Sequence, residues 1–269
     1  MNKRSINGVE LCYRDLGSGP PIIFLHAFPL SQKMWDAQVD RIAANHRVIT
    51  FDWRGFGQSS LGAGIQSVET FADDLAALMK SLNLERATIC GLSMGGYAAF
   101  AFYRKYRDLL SSLILADTRA TPDTEEGKRG RQEMADLVRT QGTPPIIETM
   151  IPRLIGETTL QKSPAVAEQV RSIIKSGQPE GIAQALIAMA NRPDSTSILA
   201  EIDCPTLIIS GDEDRLIPLS EAEKMHHAIP KSSFEIVHQA GHLPNLEQPE
   251  GFNLAILKFL SNLSAEGLD

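Results

Sequence analysis

Gly91-Leu92-Ser93-Met94-Gly95 sets a serine between two glycines, directly after the apolar run Ala87 to Cys90 and ahead of Tyr97-Ala98-Ala99-Phe100. A serine on a sharp turn from a strand into a helix is presented as a nucleophile. The positions two before and two after it must be small for the turn to close, and Gly91 and Gly95 meet that need. The helix start adds the positive end of its dipole and the Met94 N–H, both directed at a developing oxyanion. The pentapeptide alone is a weak signal, because a serine can simply cap a helix. Its place between strand and helix gives it weight, and the chemistry expected of Ser93 is acyl transfer.

A serine hydroxyl attacks a carbonyl only when a base takes its proton. Six histidines compete for that role. His226 and His227 are adjacent on a helical stretch, where neighbours face different directions. His46 falls between a helix and a strand and is expected at the surface. His26 closes an early strand and His238 a late one. His242, in Gln239-Ala240-Gly241-His242-Leu243-Pro244, follows the last strand. Enzymes built on this serine turn order their residues serine, acid, histidine along the chain, which selects His242 with His238 as the next candidate. The acid must then lie between Ser93 and His242, at the carboxyl end of a strand. Asp212, Glu213 and Asp214 follow the run Thr206 to Ser210, and Asp117 closes the strand before it. Spacing leaves Asp214 and Asp212 as close rivals, and any one of them also reads as a solvated acid of a turn.

The elements that must position these groups are legible from periodicity. Asn7-Gly8 between two short strand-like runs is a hairpin signal, since a type I′ turn needs φ > 0 at both central positions. Unbroken apolar runs recur at Ile22 to Leu25, Val48 to Phe51, Ala87 to Cys90, Leu113 to Ala116, Thr206 to Ser210 and Phe234 to Val237. Such runs suit a parallel sheet covered on both faces. Helical stripes lie between them, among them Phe71, Leu75, Leu78, Met79 and Leu82. Ser220-Glu221-Ala222-Glu223 reads as a capping box, and Pro249 suits the first turn of the final helix.

The alternation stops between about Thr118 and Ala200. Only helical patterns occur there: one from Ser163-Pro164 to Gly177, with N-cap and C′ residues in place, and another after Pro179. The class is therefore α/β, with a mainly parallel twisted sheet flanked by helices. Residues 1–117 and 201–269 form the core, and 118–200 an inserted helical cap.

The 269 residues, 43% hydrophobic and 22% charged, are those of a globular chain with one substantial domain. The net charge of −7 argues against a nucleic-acid partner, which requires a basic footprint. The apolar runs are too short to cross a bilayer, no signal-peptide core follows the start, and a cytoplasmic location is the default expectation. Cys12, Cys90 and Cys204 match no metal or redox spacing. No cofactor or metal is expected, and no phosphate-binding glycine loop is present.

These motifs together resemble the α/β-hydrolase superfamily, in the branch of serine esterases and 3-oxoadipate enol-lactonases that also groups perhydrolases and C–C bond hydrolases. The resemblance covers almost the whole chain and is weakest in the cap. It rests on Gly91-Leu92-Ser93-Met94-Gly95-Gly96, His26-Ala27-Phe28-Pro29, Asp52-Trp53-Arg54-Gly55-Phe56-Gly57-Gln58-Ser59, the Gly211/Asp214/Pro218 pattern and Gly241-His242.

The resemblance implies that Asp214, three residues after Gly211, is the acid. It also implies that the Phe28 N–H joins that of Met94 in the oxyanion hole, although Ala27 stands where the family usually has glycine. The Asp52-to-Ser59 segment is implied to be structural, with Arg54 bracing neighbouring loops. Members that cleave halides or epoxides need an aspartate where this chain has Ser93. The expected activity is cleavage of small carboxylic esters or lactones through an acyl-serine intermediate, under a roof of Ile146, Ile147, Met150 and Ile151. A 3-oxoadipate enol-lactonase, which would need a cation such as Arg119, Arg153 or Arg192 for its substrate's carboxylate, is an alternative. Perhydrolase and C–C hydrolase chemistry are others, and a slow-turnover ligand receptor is the reading from a different class. The expected partner is a small-molecule ester or lactone, and homo-oligomerisation is left open.

Overall fold

A computed structural model describes residues 1–267. Eight strands form one sheet: β1 (Asn2–Ile6), β2 (Val9–Leu16), β3 (Pro21–Leu25), β4 (Arg47–Phe51), β5 (Ala87–Leu92), β6 (Leu110–Ala116), β7 (Thr206–Gly211) and β8 (Ser232–Val237). Their spatial order is β1-β2-β4-β3-β5-β6-β7-β8. β1 and β2 pair antiparallel across Asn7-Gly8, whose φ values of 46 and 76 are those of the expected turn, and β2 pairs antiparallel with β4. Every other pairing is parallel. β5, β6 and β7 are buried along their whole length, as unbroken apolar runs require. β8 departs from that expectation. As an edge strand it is half-exposed, and only Val237 is buried.

Helices cover the sheet: α1 (Asp36–Ile42), α2 (Val68–Ser81) and α3 (Met94–Tyr106) among the first six strands, then α9 (Leu219–Ala228), α10 (Pro244–Glu247) and α11 (Pro249–Glu266) after β7. Between β6 and β7 stand five consecutive helices, α4 (Glu125–Gln141), α5 (Pro144–Leu154), α6 (Glu157–Lys162), α7 (Pro164–Lys175) and α8 (Pro179–Ala190). α4 packs along α8 and α5, and α5 along α7. Hydrogen bonds tie this group to the sheet-bearing part: Gln178 Nε2 donates to Ser59 O (2.8 Å), and Ile65 N to Gln184 Oε1 (2.7 Å).

Several local expectations fail for identifiable reasons. The capping box at Ser220 does not form, because α9 opens two residues earlier, behind Pro218, and puts Ser220 inside the first turn. Gly177 follows α7 without the left-handed backbone that ends α11 at Gly267 (φ 68). His46 is buried rather than at the surface.

Candidate active site

β5 ends at Leu92 and α3 begins at Met94, so Ser93 is the whole connection. Its backbone sits at φ 55, ψ −110. A pose of that kind costs a non-glycine residue on the order of 1–3 kcal/mol. Four hydrogen bonds hold it: the Ser93 N–H donates to Ala116 O (2.9 Å), and its carbonyl accepts from Gly96 N (2.9 Å), Tyr97 N (3.2 Å) and Thr118 Oγ1 (2.9 Å). The flanking glycines are sterically compulsory. A Cβ on Gly91 would lie 2.4 Å from Gly95 O, and one on Gly95 would lie 2.2 Å from Leu25 O.

His242 is buried in the loop after β8, with its Nδ1 2.7 Å from Asp214 Oδ2. The other Asp214 oxygen accepts from Leu216 N (2.7 Å) and Ile217 N (3.1 Å), which fixes the carboxylate plane. An Nδ1–H given to Asp214 leaves the His242 Nε2 lone pair available as a base. The loop itself is clamped from the helical group. His242 N donates to Leu154 O (3.0 Å) at the end of α5. The buried Glu247 carboxylate accepts from Gly241 N (2.9 Å), Leu243 N (3.2 Å) and Gly156 N (2.8 Å). Burial raises the Glu247 carboxyl above its ordinary range, and these N–H donors work against that rise.

The rival residues are occupied elsewhere. Asp212 bonds the exposed His238 (2.8 Å) and Gln239 N (2.7 Å) at the surface. Glu213 accepts from the Thr158 N–H (2.8 Å) and its hydroxyl. His26 is buried against Trp53, whose N–H donates to its Nε2 (3.1 Å), and burial pushes its imidazole down to about 4. His226 pairs with Ser232 Oγ and His227 with Glu223 O.

Asp117 is different. It stands at φ 41, fully buried, with Oδ1 accepting from Gly211 N (2.9 Å) and Oδ2 without a hydrogen-bond partner. Burial first, then the neighbouring Asp214 charge, pushes its carboxyl well above the ordinary value. Asp117, Asp214 and His242 bring one ligand-type atom each to within 4.8 Å of one another, the one such grouping among the described residues. Both Asp214 oxygens, His242 Nδ1 and Asp117 Oδ1 are already engaged in the bonds above, so the set keeps only Asp117 Oδ2 and His242 Nε2 for any further partner.

A cavity of about 420 Å³ opens beside Ser93 and His242, with Phe28, Tyr97, Leu216 and Ile217 forming its floor and sides. Phe28 precedes Pro29 through a cis peptide and is buried. The Met94 side chain is buried, and its N–H is in the first turn of α3, where helix donors have no intrahelical partner. Neither the Phe28 nor the Met94 N–H has a hydrogen-bond partner among the described residues.

The roof comes from α4, α5 and α8. Ile146 and Met150 line it as expected from sequence, whereas Ile147 and Ile151 are turned away from it. Of the three candidate cations, Arg119 and Arg153 line the cavity. Arg192 does not, being buried with its guanidinium 4.1 Å above the Tyr97 ring. Arg131 lines it and was not among the sequence candidates. Its signal is the spacing of Gly127, Gly130, Arg131 and Met134, which puts all four on one face of α4.

The chain is similar over almost its whole length to known proteins. A 3-oxoadipate enol-lactonase of Acinetobacter baylyi is 30% identical over 250 residues, 92% of each chain. An esterase from Thermogutta terrifontis, solved with malate bound, superposes with a TM-score of 0.96 at 45% identity, covering 98% of this chain and 99% of its own. The enol-lactonase of Burkholderia xenovorans LB400 superposes at 0.90 with 27% identity, covering 97% and 100%. Residues 22–255, from the third strand to the final helix, match the alpha/beta hydrolase family, and with the serine turn between β5 and α3 in place the chain belongs to that family.

Proposed function

We propose that this chain hydrolyses small carboxylic esters or lactones, with Ser93 as nucleophile, His242 as base and Asp214 as the acid that orients it. The observation that carries the reading is the 2.7 Å His242–Asp214 bond at the wall of the cavity that Ser93 also lines. Ser93 Oγ attacks the carbonyl carbon while its proton passes to His242 Nε2. The oxyanion that forms is held by the N–H groups of Phe28 and Met94, in a site where desolvation strengthens each bond. The tetrahedral intermediate collapses, the C–O bond to the alcohol breaks, and His242 returns the proton to the departing oxygen. Water, deprotonated by the same imidazole, then attacks the acyl-serine and releases the acid.

Residues 118–200 act as a cap that roofs the substrate, and 1–117 with 201–269 as the core that carries the chemistry. The lining by α4, α5 and α8 residues supports that division. The two relatives named as enol-lactonases and the one named as an esterase favour ester and lactone bonds over the peracid and C–C alternatives. Among the described residues no helix is long and apolar enough to cross a membrane. Three free cysteines, two of them buried, fit a reducing compartment such as the cytoplasm.

The test is turnover of p-nitrophenyl acetate and butyrate by the parent and by Ser93→Ala. Loss of about 10⁴–10⁶ in kcat in the variant is expected, because the three residues act as a unit. A variant that keeps the parent's rate would overturn the assignment.

A further inference from the structure

Helix α3, which opens at the nucleophile, carries Tyr97, Tyr103 and Tyr106. Tyr103 gives its hydroxyl proton to Glu201 O, and Tyr106 gives its own to Asp73 Oδ1 (2.7 Å). Tyr97, one helical turn after Ser93, is 4% exposed and lines the cavity. Its hydroxyl oxygen meets the Arg119 guanidinium. A guanidinium has donors only, so that contact takes an oxygen lone pair and leaves the phenolic proton over. No acceptor among the described residues takes that proton, and the oxygen is not sealed inside the protein. The space it faces is the cavity that Ser93 and His242 also line.

The ring cannot carry this hydroxyl elsewhere. The Arg192 guanidinium stacks 4.1 Å above its face, and Arg192 is itself held by Asp123 Oδ1 (2.7 Å), Met189 O (2.8 Å) and Thr121 O (2.8 Å). The same Asp123 oxygen accepts from Arg119 (2.6 Å), so one buried carboxylate fixes both guanidiniums around the phenol. It also meets the Arg119 charge, which leaves the phenol as a neutral, positioned donor.

A buried donor left without an acceptor is costly, and a site that holds one favours the ligand that supplies the acceptor. The scissile carbonyl oxygen is not that acceptor, since the Phe28 and Met94 N–H groups hold it in the mechanism above. Tyr97 stands about 6 Å further along the helix axis, at four residues of 1.5 Å rise. We infer that the Tyr97 hydroxyl binds a second, uncharged oxygen of the substrate, a ketone or ether a few bonds from the scissile carbonyl. The cavity then prefers oxo- or alkoxy-substituted esters and lactones to purely hydrocarbon ones. This substrate class rests on the hydrolase reading above. Tyr97 orients the substrate and does not touch the reacting atoms.

Two pairs of esters of matched shape test it. Methyl 4-oxopentanoate against methyl 4-methylpentanoate places the second oxygen on the acyl side, and 2-methoxyethyl acetate against butyl acetate places it on the alcohol side. Rates followed by pH-stat are divided by those with hydroxide, which removes the intrinsic reactivity of each ester. In at least one pair the oxygenated member should have the higher kcat/KM, by about three- to tenfold, the size of one neutral hydrogen bond. Tyr97→Phe keeps the ring beneath Arg192 and removes only the hydroxyl. It should bring that ratio to unity by raising KM for the oxygenated ester, with the hydrocarbon ester's kcat and KM unchanged. A tyrosine that merely props the helix would slow both esters alike. Ratios near unity in both pairs with the esters turned over, or a ratio that survives in Tyr97→Phe, would overturn the inference and leave the hydrolase intact. Calorimetry on Ser93→Ala with the same four esters reads the subsite without turnover. Tighter binding of an oxygenated ester, lost when Tyr97→Phe is added, is expected even if the hydrolase reading fails. Equal binding within both pairs, or binding of none of the four, would refute it.

Discussion

Replacing Asp117 with Asn should make the protein more stable at neutral pH, although it removes a buried ionisable group beside His242 and Asp214. The carboxyl is raised by burial and by Asp214, so it keeps its proton in the folded chain at pH values where the unfolded chain, titrating near 3.9, has lost it. The unfolded state then binds fewer protons than the folded one, and stability falls as pH climbs from about 4 towards the raised value. Each pH unit in that window costs about 1.4 kcal/mol. Asparagine removes the titration. Its Oδ1 still accepts from Gly211 N, its Nδ2 takes the place of the partnerless Oδ2 beside Asp214, and asparagine tolerates φ 41 as well as aspartate does.

A gain of one pH unit's worth would raise the melting temperature of a chain this size by about 3–5 °C at pH 7. Melting curves of parent and Asp117→Asn from pH 4 to pH 8, at one scan rate, should therefore converge at the acid end and separate as pH rises. Turnover should stay within about tenfold of the parent, because Asn has the shape of Asp and leaves the His242–Asp214 bond in place. A difference that widens towards pH 4, or a variant less stable at pH 8, would refute the protonated-neighbour argument.

The remaining predictions concern what holds the base. Asp214→Asn should lower kcat by about 10⁴ through loss of imidazole orientation, whereas Asp212→Asn, which bonds only the exposed His238 and Gln239 N away from the imidazole, should stay within about tenfold; steady-state rates on p-nitrophenyl butyrate decide between them. Glu247→Gln leaves one oxygen to serve three backbone donors, so the His242 loop and its joint with Gly156 should loosen. A fall in kcat of about tenfold is expected at one lost net hydrogen bond, with faster amide exchange at residues 241–243 measured by mass spectrometry; unchanged exchange there would contradict the clamp.

The serine turn is legible in sequence because its causes are local: two glycines that no other residue could replace, an apolar strand before them and a helix after. The parallel sheet is legible for a related reason, since burial on both faces leaves no room for polar alternation in β5, β6 and β7. The acids are not separable in this way. Asp212, Glu213 and Asp214 share one turn and one composition, and they differ only in what the fold brings to each: His238, Thr158 or His242. Asp117 and Asp214 are 97 positions apart, and their closeness follows from β6 and β7 lying side by side. The roof was only half legible. An apolar stretch says that α5 is buried, but whether Ile146 or Ile147 meets the cavity depends on the rotation of the helix against α4 and α7. Arg131 was hidden because α4 reads as a charged, solvated helix until Asp123 and the cavity give its inner face a purpose.

Reaction with diisopropyl fluorophosphate, followed by intact mass and peptide mapping, tests the central claim most directly. The reagent forms a stable phosphoryl ester only with a serine whose proton a neighbouring base removes. One adduct is expected, on Ser93 in the peptide spanning β5 and α3, and its rate of formation should drop by about 10³ or more in His242→Ala. A native protein that takes no label, or takes it on another residue, or labels Ser93 equally fast without His242, would contradict the account.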